Sequence, residues 1–143
     1  MTKKIFKSNI LVAVVVLIFG IACVMAILYQ HFGKQINTEL GKEASYLAYG
    51  VEQNGVDYLN QIKEKDDRIT YIAEDGTVLY DNQADASSME NNSDRKEIQE
   101  ALKSGSGRAE RDSKTLSQKT IYYALRLSDN TVLRVSSTQF SVW

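Results

Sequence analysis

Residues 10–28, ILVAVVVLIFGIACVMAIL, hold no charged side chain, and Lys3, Lys4 and Lys7 precede them without an acid among them. In a helix rising 1.5 Å per residue, about 20 apolar residues match the roughly 30 Å hydrocarbon core of a bilayer. The run therefore reads as a transmembrane helix over 10–29, with 1–9 cytoplasmic by the positive-inside rule and everything after Tyr29 outside. A cleaved signal peptide is the competing reading, but its apolar region spans about 7–15 residues and ends in a small-x-small site. Here the run is longer, and Ala26-Ile27-Leu28-Tyr29 is a poor cleavage context, which favours an uncleaved anchor.

The chain beyond the anchor is long enough for one modest domain. All eighteen acids lie there against fourteen Lys and Arg, a balance that disfavours nucleic acid and gives no general attraction to anionic lipid. The single cysteine, Cys23, lies within the apolar run, so the exterior domain has no intrachain disulfide and must be held by its own core. Proline is absent altogether, which permits long helices.

Beyond the anchor, Phe32, Ile36, Leu40, Ala44, Leu47, Val51, Tyr58 and Ile62 recur at three, four or seven, predicting a long exterior helix over 30–67. Its apolar stripe, with Ile36, Leu40, Leu47 and Val51 at its centre, can seat on a sheet or pair with its own copy as the dimer and signalling helix of a homodimer. Glycines interrupt the run, and the Asn54-Gly55 step is where a break is most expected.

The periodicity then changes to two. Ile69, Tyr71 and Ala73 share a face, as do Val78 and Tyr80, and Asp75-Gly76 between them supplies a hairpin turn. A second hairpin alternates through Ile121, Tyr123, Leu125 and Leu127, turns at Asp129-Asn130 and returns through 132–136. A short strand near 108–111 completes five. Between the hairpins, Asp94 and Glu97 have the residue types of a capping box, and Ile98, Ala101 and Leu102 follow at helical spacing before Gly105, predicting a helix over 95–104. The expectation is an α+β fold: a transmembrane helix continuing into a long helix packed on a five-stranded antiparallel sheet.

The elements ITYIAEDGTVLYDN, ADASSMENNSDRKEIQEALKSGSG, SKTLSQKTIYYALRL and TVLRVSST, running from Arg68 through Ser136, resemble the extracytoplasmic sensor domain of bacterial sensor histidine kinases of the phosphate-regulon type, a PAS-like, single-Cache fold. That resemblance implies a PAS-like sensor over 68–139, a bacterial cell membrane, and a signal-input role in two-component signal transduction. In such proteins the sensor lies between two transmembrane helices, so Phe140-Ser141-Val142-Trp143 reads as the start of membrane re-entry and the chain as an N-terminal piece of a longer kinase. The alternative for these four residues is a C-terminal strand packed by Trp143. Two positions depart from the pattern. Asn92 stands where such domains often carry a histidine, and Lys96 where they often carry proline, so no role resting on that histidine transfers.

No catalytic constellation is legible. The single histidine, His31, sits just past the apolar run and reads as an interfacial residue, and Gly105-Ser106-Gly107 follows a helix instead of opening one. No cofactor or metal is expected. By the resemblance, a ligand pocket lies on the concave sheet face under the loop and short helix. Tyr80, Arg95, Arg111 and Tyr123 are then the candidate ligand-binding residues, the arginines suiting carboxylate or phosphate. The plainer reading of Arg95 is an ion pair with Asp81 or Asp94 that pins the loop. A divalent cation held by Asp81, Asp85, Glu90 and Asp94 is a third reading, although their spacing lacks the EF-hand pattern. The expected partners are membrane lipid, a second copy of the chain and an unidentified small-molecule or protein signal. The competing function class is a pilin-like or other membrane-anchored structural protein, although the Gly-Phe/Met processing site with its Glu is missing. The input domain of a chemoreceptor or cyclic-dinucleotide enzyme would look the same.

Overall fold

The computed structural model describes residues 2–62, 66–113 and 118–140, with side chains placed for 5–62, 66–113 and 118–139. The chain divides into two units, residues 1–36 and 37–143. Helix α1 is assigned over Thr2–Asn54 and contributes to both. Within the first unit its apolar side chains are exposed, Leu11, Val16, Leu17, Phe19 and Ile27 each by more than half, and the stretch is long and apolar enough to cross a membrane. An apolar helical surface of this kind, uncovered by protein, has a stable environment in lipid.

In the second unit α1 turns a narrow stripe inward. Leu40, Ala44, Leu47, Ala48 and Val51 are all buried, at the spacing expected of one helix face. Burial of each large aliphatic side chain in such a stripe contributes about 1.5–3 kcal/mol, enough to hold the helix despite its glycines. The stripe therefore seats against the domain's own sheet. With Leu40, Leu47 and Val51 filled in this way, they are not free to meet a second copy, while Ile36 belongs to the first unit and is half-buried. The helix expected over 30–67 is in two pieces. It stops at Asn54, Gly55 takes φ +68°, and a short helix α2 covers Asp57–Gln61. Left-handed backbone at that point is inexpensive only for glycine, so the Asn54-Gly55 step does break the helix.

The sheet has five strands, β1 (Arg68–Ile72), β2 (Val78–Asp81), β3 (Ser106–Ser113), β4 (Gln118–Arg126) and β5 (Val132–Phe140). Their order is β2-β1-β5-β4-β3 and every pairing is antiparallel. Chain order and spatial order differ because the loop and helix α3 (Lys96–Ser104) carry the chain from one edge of the sheet to the other. Gly76, at φ +88°, closes the first hairpin, and Asn130, at φ 67°, closes the second. The strand expected near 108–111 extends to eight residues, and β5 runs past 136 to Phe140. Of the residues 140–143 expected to begin membrane re-entry, Phe140 ends β5 and 141–143 lie outside the described residues.

Alternation assigns the two faces. Tyr123, opposite Val135 and Arg108, points to the α1 side together with Ile121, Leu133, Ile69 and Tyr71. The opposite face, which corresponds to the concave face expected from the resemblance, carries Thr70, Ile72, Ala124, Val132 and Arg134. There α3 lays down Ile98 and Ala101 against Ile72, Ala124 and Val132, a fully buried cluster flanked by Leu102. Gly107 lets α3 approach this closely, since a Cβ at that position would run into the backbone carbonyl of Glu97.

Candidate functional site

The concave face has an apolar end under α3 and a polar end beyond it, and side-chain parity on the strands explains both. Along β5, Val132, Arg134, Ser136 and Thr138 point to this face in turn; along β4, Ala124, Tyr122 and Thr120 do so. The apolar members of each row lie under α3, and the polar members follow toward the far end of the sheet. Thr120 and Thr138 stand opposite each other with their hydroxyls 3.0 Å apart. Arg68 lies beside Ser136 on the neighbouring strand. Together with Asp66, Asp67, Gln83, Tyr122 and Ser137 these residues line a cleft of about 440 Å³. That volume falls within the roughly 300–1,000 Å³ range of small-molecule sites.

A buried ion network forms the boundary between the two ends. Glu97 is fully buried, and its carboxylate accepts from Arg111 at 2.6 Å and from Arg134 at 3.2 Å. Arg134 also donates to Asn92 Oδ1 and to Thr70 Oγ1, each at 3.3 Å, while its Nε has no hydrogen-bond partner. Both guanidinium groups lie against the Tyr122 ring, Arg111 at 4.1 Å and Arg134 at 5.4 Å from its centroid. Burial lowers the Arg134 pKa, with the charge of Glu97 opposing it. For Arg111 burial pulls the same way, but the hydrogen bond to Glu97 overcomes it and the pKa rises.

A second hub is Asp81, whose side chain is fully buried. Its carboxylate accepts from Arg68 Nε at 2.9 Å, Thr70 Oγ1 at 2.8 Å and the backbone N–H groups of Gln83 and Ala84 at 2.9 Å. Burial pushes the Asp81 pKa up, but these donors, Arg68 first, outweigh it and hold the group below the ordinary carboxylate range. Arg68 is thus neutralised within the wall of the cleft. On α1, beside Asp66 and Asp67, Glu43 is pushed up to about 7, first by burial and then by the charge and hydrogen bond of Asp67 and the charge of Asp66.

The four residues singled out from the sequence are not gathered into one site. Arg111 lies on the concave face, tied to Glu97. Tyr123 lies on the α1 face, and so does Tyr80, opposite Tyr71, with its hydroxyl donating to the Leu59 carbonyl at 3.2 Å. Arg95 precedes α3, its Nε 3.8 Å from Asp94 Oδ1, in keeping with the plainer ion-pair reading; Asp81 is taken by Arg68. The capping box is not formed, because Arg95 occupies the N-cap position without a side-chain cap and Glu97 turns inward to the arginines. Among the carboxylates considered for a cation, Asp81 holds Arg68, and Asp85 caps a short 3₁₀ turn over Ala86–Ser88. Among the described residues no three His, Cys, Asp or Glu side chains are grouped to hold a metal.

The sequence reading missed Arg68, Tyr122, Arg134 and the threonine pair. Parity could have found Arg134 and Tyr122, because each lies between two residues of the other face, Leu133 and Val135 or Ile121 and Tyr123.

A long helix on one face of a β2-β1-β5-β4-β3 antiparallel sheet, with a polar cleft on the other face, defines an α+β, PAS-like sensor module. The family profile for single-Cache-like domains matches residues 30–133, and the chain belongs to that family. Cache domains are extracellular sensor modules in histidine kinases and chemoreceptors. No curated protein matches the chain.

Proposed function

We propose that this chain is the signal-input module of a bacterial membrane sensor histidine kinase of the phosphate-regulon type, with 1–9 cytoplasmic, 10–29 in the membrane and the sensor domain outside. The observation that carries the reading is the cleft on the concave face, lined by Arg68, Thr120, Tyr122, Ser136 and Thr138, on a Cache-type sheet. Its walls supply hydrogen bonds and no nucleophile-base pair, which suits reversible capture of a polar small molecule and not turnover.

A ligand acts only through its different affinity for two arrangements of the protein. Here the groups that a ligand would reorder, Tyr122 and Ser136, adjoin Arg134 and hence Glu97 on α3. Occupation of the cleft would therefore bias how α3 and the loop sit on the sheet. A homodimer would carry that bias to the kinase.

Two measurements test the reading. The coding sequence beyond Trp143 should specify an apolar span followed by a histidine-kinase core; a chemoreceptor or cyclic-dinucleotide output there replaces the kinase reading. In parallel, a library of polar metabolites is screened for a rise in the Tm of the full chain in detergent. A hit whose effect disappears in Thr120→Val and Tyr122→Ala supports the cleft, and a hit insensitive to both removes it as the sensing site.

A further inference from the structure

On the opposite face of the sheet, between α1 and the β3 edge, lies a second, open cavity of about 450 Å³ whose lining includes Asn37, Thr38, Lys42, Tyr46, Arg108 and Tyr123. All of these residues belong to the second unit. Gly41 seats Tyr123: a Cβ there would stand 3.3 Å from Tyr123 Cζ, tighter than side chains normally pack. The Arg108 guanidinium lies 5.3 Å from the Tyr123 ring centroid, held over the aromatic face. Lys42 and Arg108 are both exposed, and neither forms an ion pair among the described residues. Glu100 accepts from the Arg108 backbone N–H and pairs with Lys96, leaving the Arg108 guanidinium free of it. No acid lines this cavity.

The contrast with the rest of the domain directs the inference. Arg68, Arg111 and Arg134 are each matched to a carboxylate. The domain as a whole is acidic, yet this groove gathers two unmatched cations from two different elements beside phenol and amide groups. We propose that the groove binds an organic oxyanion, with the carboxylate or phosphate group between Lys42 and Arg108 and the body of the molecule against the Tyr46 and Tyr123 rings. Arginine matches such groups with a planar fork and lysine adds a point charge. The Tyr rings provide an apolar wall that a bare inorganic anion would not use. Such a ligand bridges α1 to the β3 edge. It is independent of whatever occupies the concave cleft. The oxyanion could belong to a soluble metabolite or to the headgroup of an anionic phospholipid, and the chemistry recognised is the same.

The test uses the full chain in nanodiscs of phosphatidylcholine, titrated with phenyl phosphate by calorimetry. Saturable binding is expected, weakened at least tenfold by Lys42→Gln and by Arg108→Gln and partly restored in Arg108→Lys, which keeps the charge but loses the fork. Both glutamine variants alter exposed side chains, and an unchanged Tm confirms that they fold. Repeating the titration in discs containing phosphatidylglycerol separates the sources. Competition by the lipid, lost in both glutamine variants, assigns the groove to a headgroup, and no competition assigns it to a soluble anion. Binding that survives both glutamine variants, binding abolished instead by Arg68→Gln on the opposite face, or no saturable binding of phenyl phosphate would each overturn the proposal.

Discussion

Replacing Glu97 by Leu removes the anion that Arg111 and Arg134 share, and the cost can be assigned between them. Arg111 has a third of its side chain exposed and can turn to water, so its share is small. Arg134 has 6% exposed, already carries an unpartnered Nε, and would be left with the neutral oxygens of Asn92 and Thr70 at 3.3 Å and the Tyr122 ring. Breaking a buried pair from one side costs about 3–5 kcal/mol, because the remaining charge is neither solvated nor matched. With a urea slope of about 2 kcal/mol/M, the unfolding midpoint of the full chain in detergent should fall by roughly 1.5–2.5 M. Arg134→Met should cost less, about 1–3 kcal/mol, since Glu97 keeps Arg111. The double variant Glu97→Leu with Arg134→Met should be more stable than Glu97→Leu alone, because no charge is left buried without a partner. A Glu97→Leu protein within about 1 kcal/mol of the original, or single-variant costs that simply add in the double variant, would refute the assignment of this network as a coupled unit.

Glu43→Gln tests the contact of α1 with Asp66 and Asp67. A carboxyl whose pKa is raised to about 7 in the folded protein contributes stability below its unfolded pKa and loses that contribution as pH climbs through about 7. The variant should therefore flatten the fall in Tm between pH 5 and pH 8, by about 1 kcal/mol or less after solvent screening. Asp81 has the opposite sign: its depressed pKa gives stability above the usual carboxylate range that is lost in acid, so Asp81→Asn should unfold more readily at neutral pH and show a weaker acid transition. Gly107→Ala drives a Cβ into the Glu97 carbonyl and should lower stability by about 2 kcal/mol or more in a urea titration, with α3 showing the fastest amide exchange. In a Cys23→Ala background, cysteines placed at Leu40 or Leu47 should give no crosslink between copies in membranes, since both side chains are inside the domain. A strong crosslink at either position would contradict that burial.

The parts of the fold most legible in the sequence were those set by local rules. The hairpins were visible because Asp75-Gly76 and Asp129-Asn130 lie between runs of period two, and both turns use positive φ at Gly76 and Asn130. The break after Asn54 was visible for the same reason. The ends of strands were less legible, because β3 and the far half of β5 carry Ser, Arg, Glu and Thr where apolar alternation would have marked them; pairing with β4 sets their length. The site was legible only in part. Tyr80, Arg95, Arg111 and Tyr123 follow from the resemblance to a pocket on one sheet face, but strand parity puts Tyr80 and Tyr123 on the other face from Arg111. Glu97 was misread for a related reason: its spacing from Asp94 fits a cap, but two arginines distant in sequence outcompete the helix terminus for its charge.

The central position of β5 has a mechanical consequence. Residues 132–136 are bonded along one edge to β1 and along the other to β4, so the first half of β5 is clamped on both sides, while 137–140 are held by β4 alone. Tension along either strand loads its hydrogen bonds in shear, but β5 has two ladders over 132–136 where the outer strand β3 has the one to β4. Traction at Gln139 loads the β4 ladder first and the β1 ladder only from Ser136 inward, and a pulling experiment on the two strands should find β5 the harder to extract.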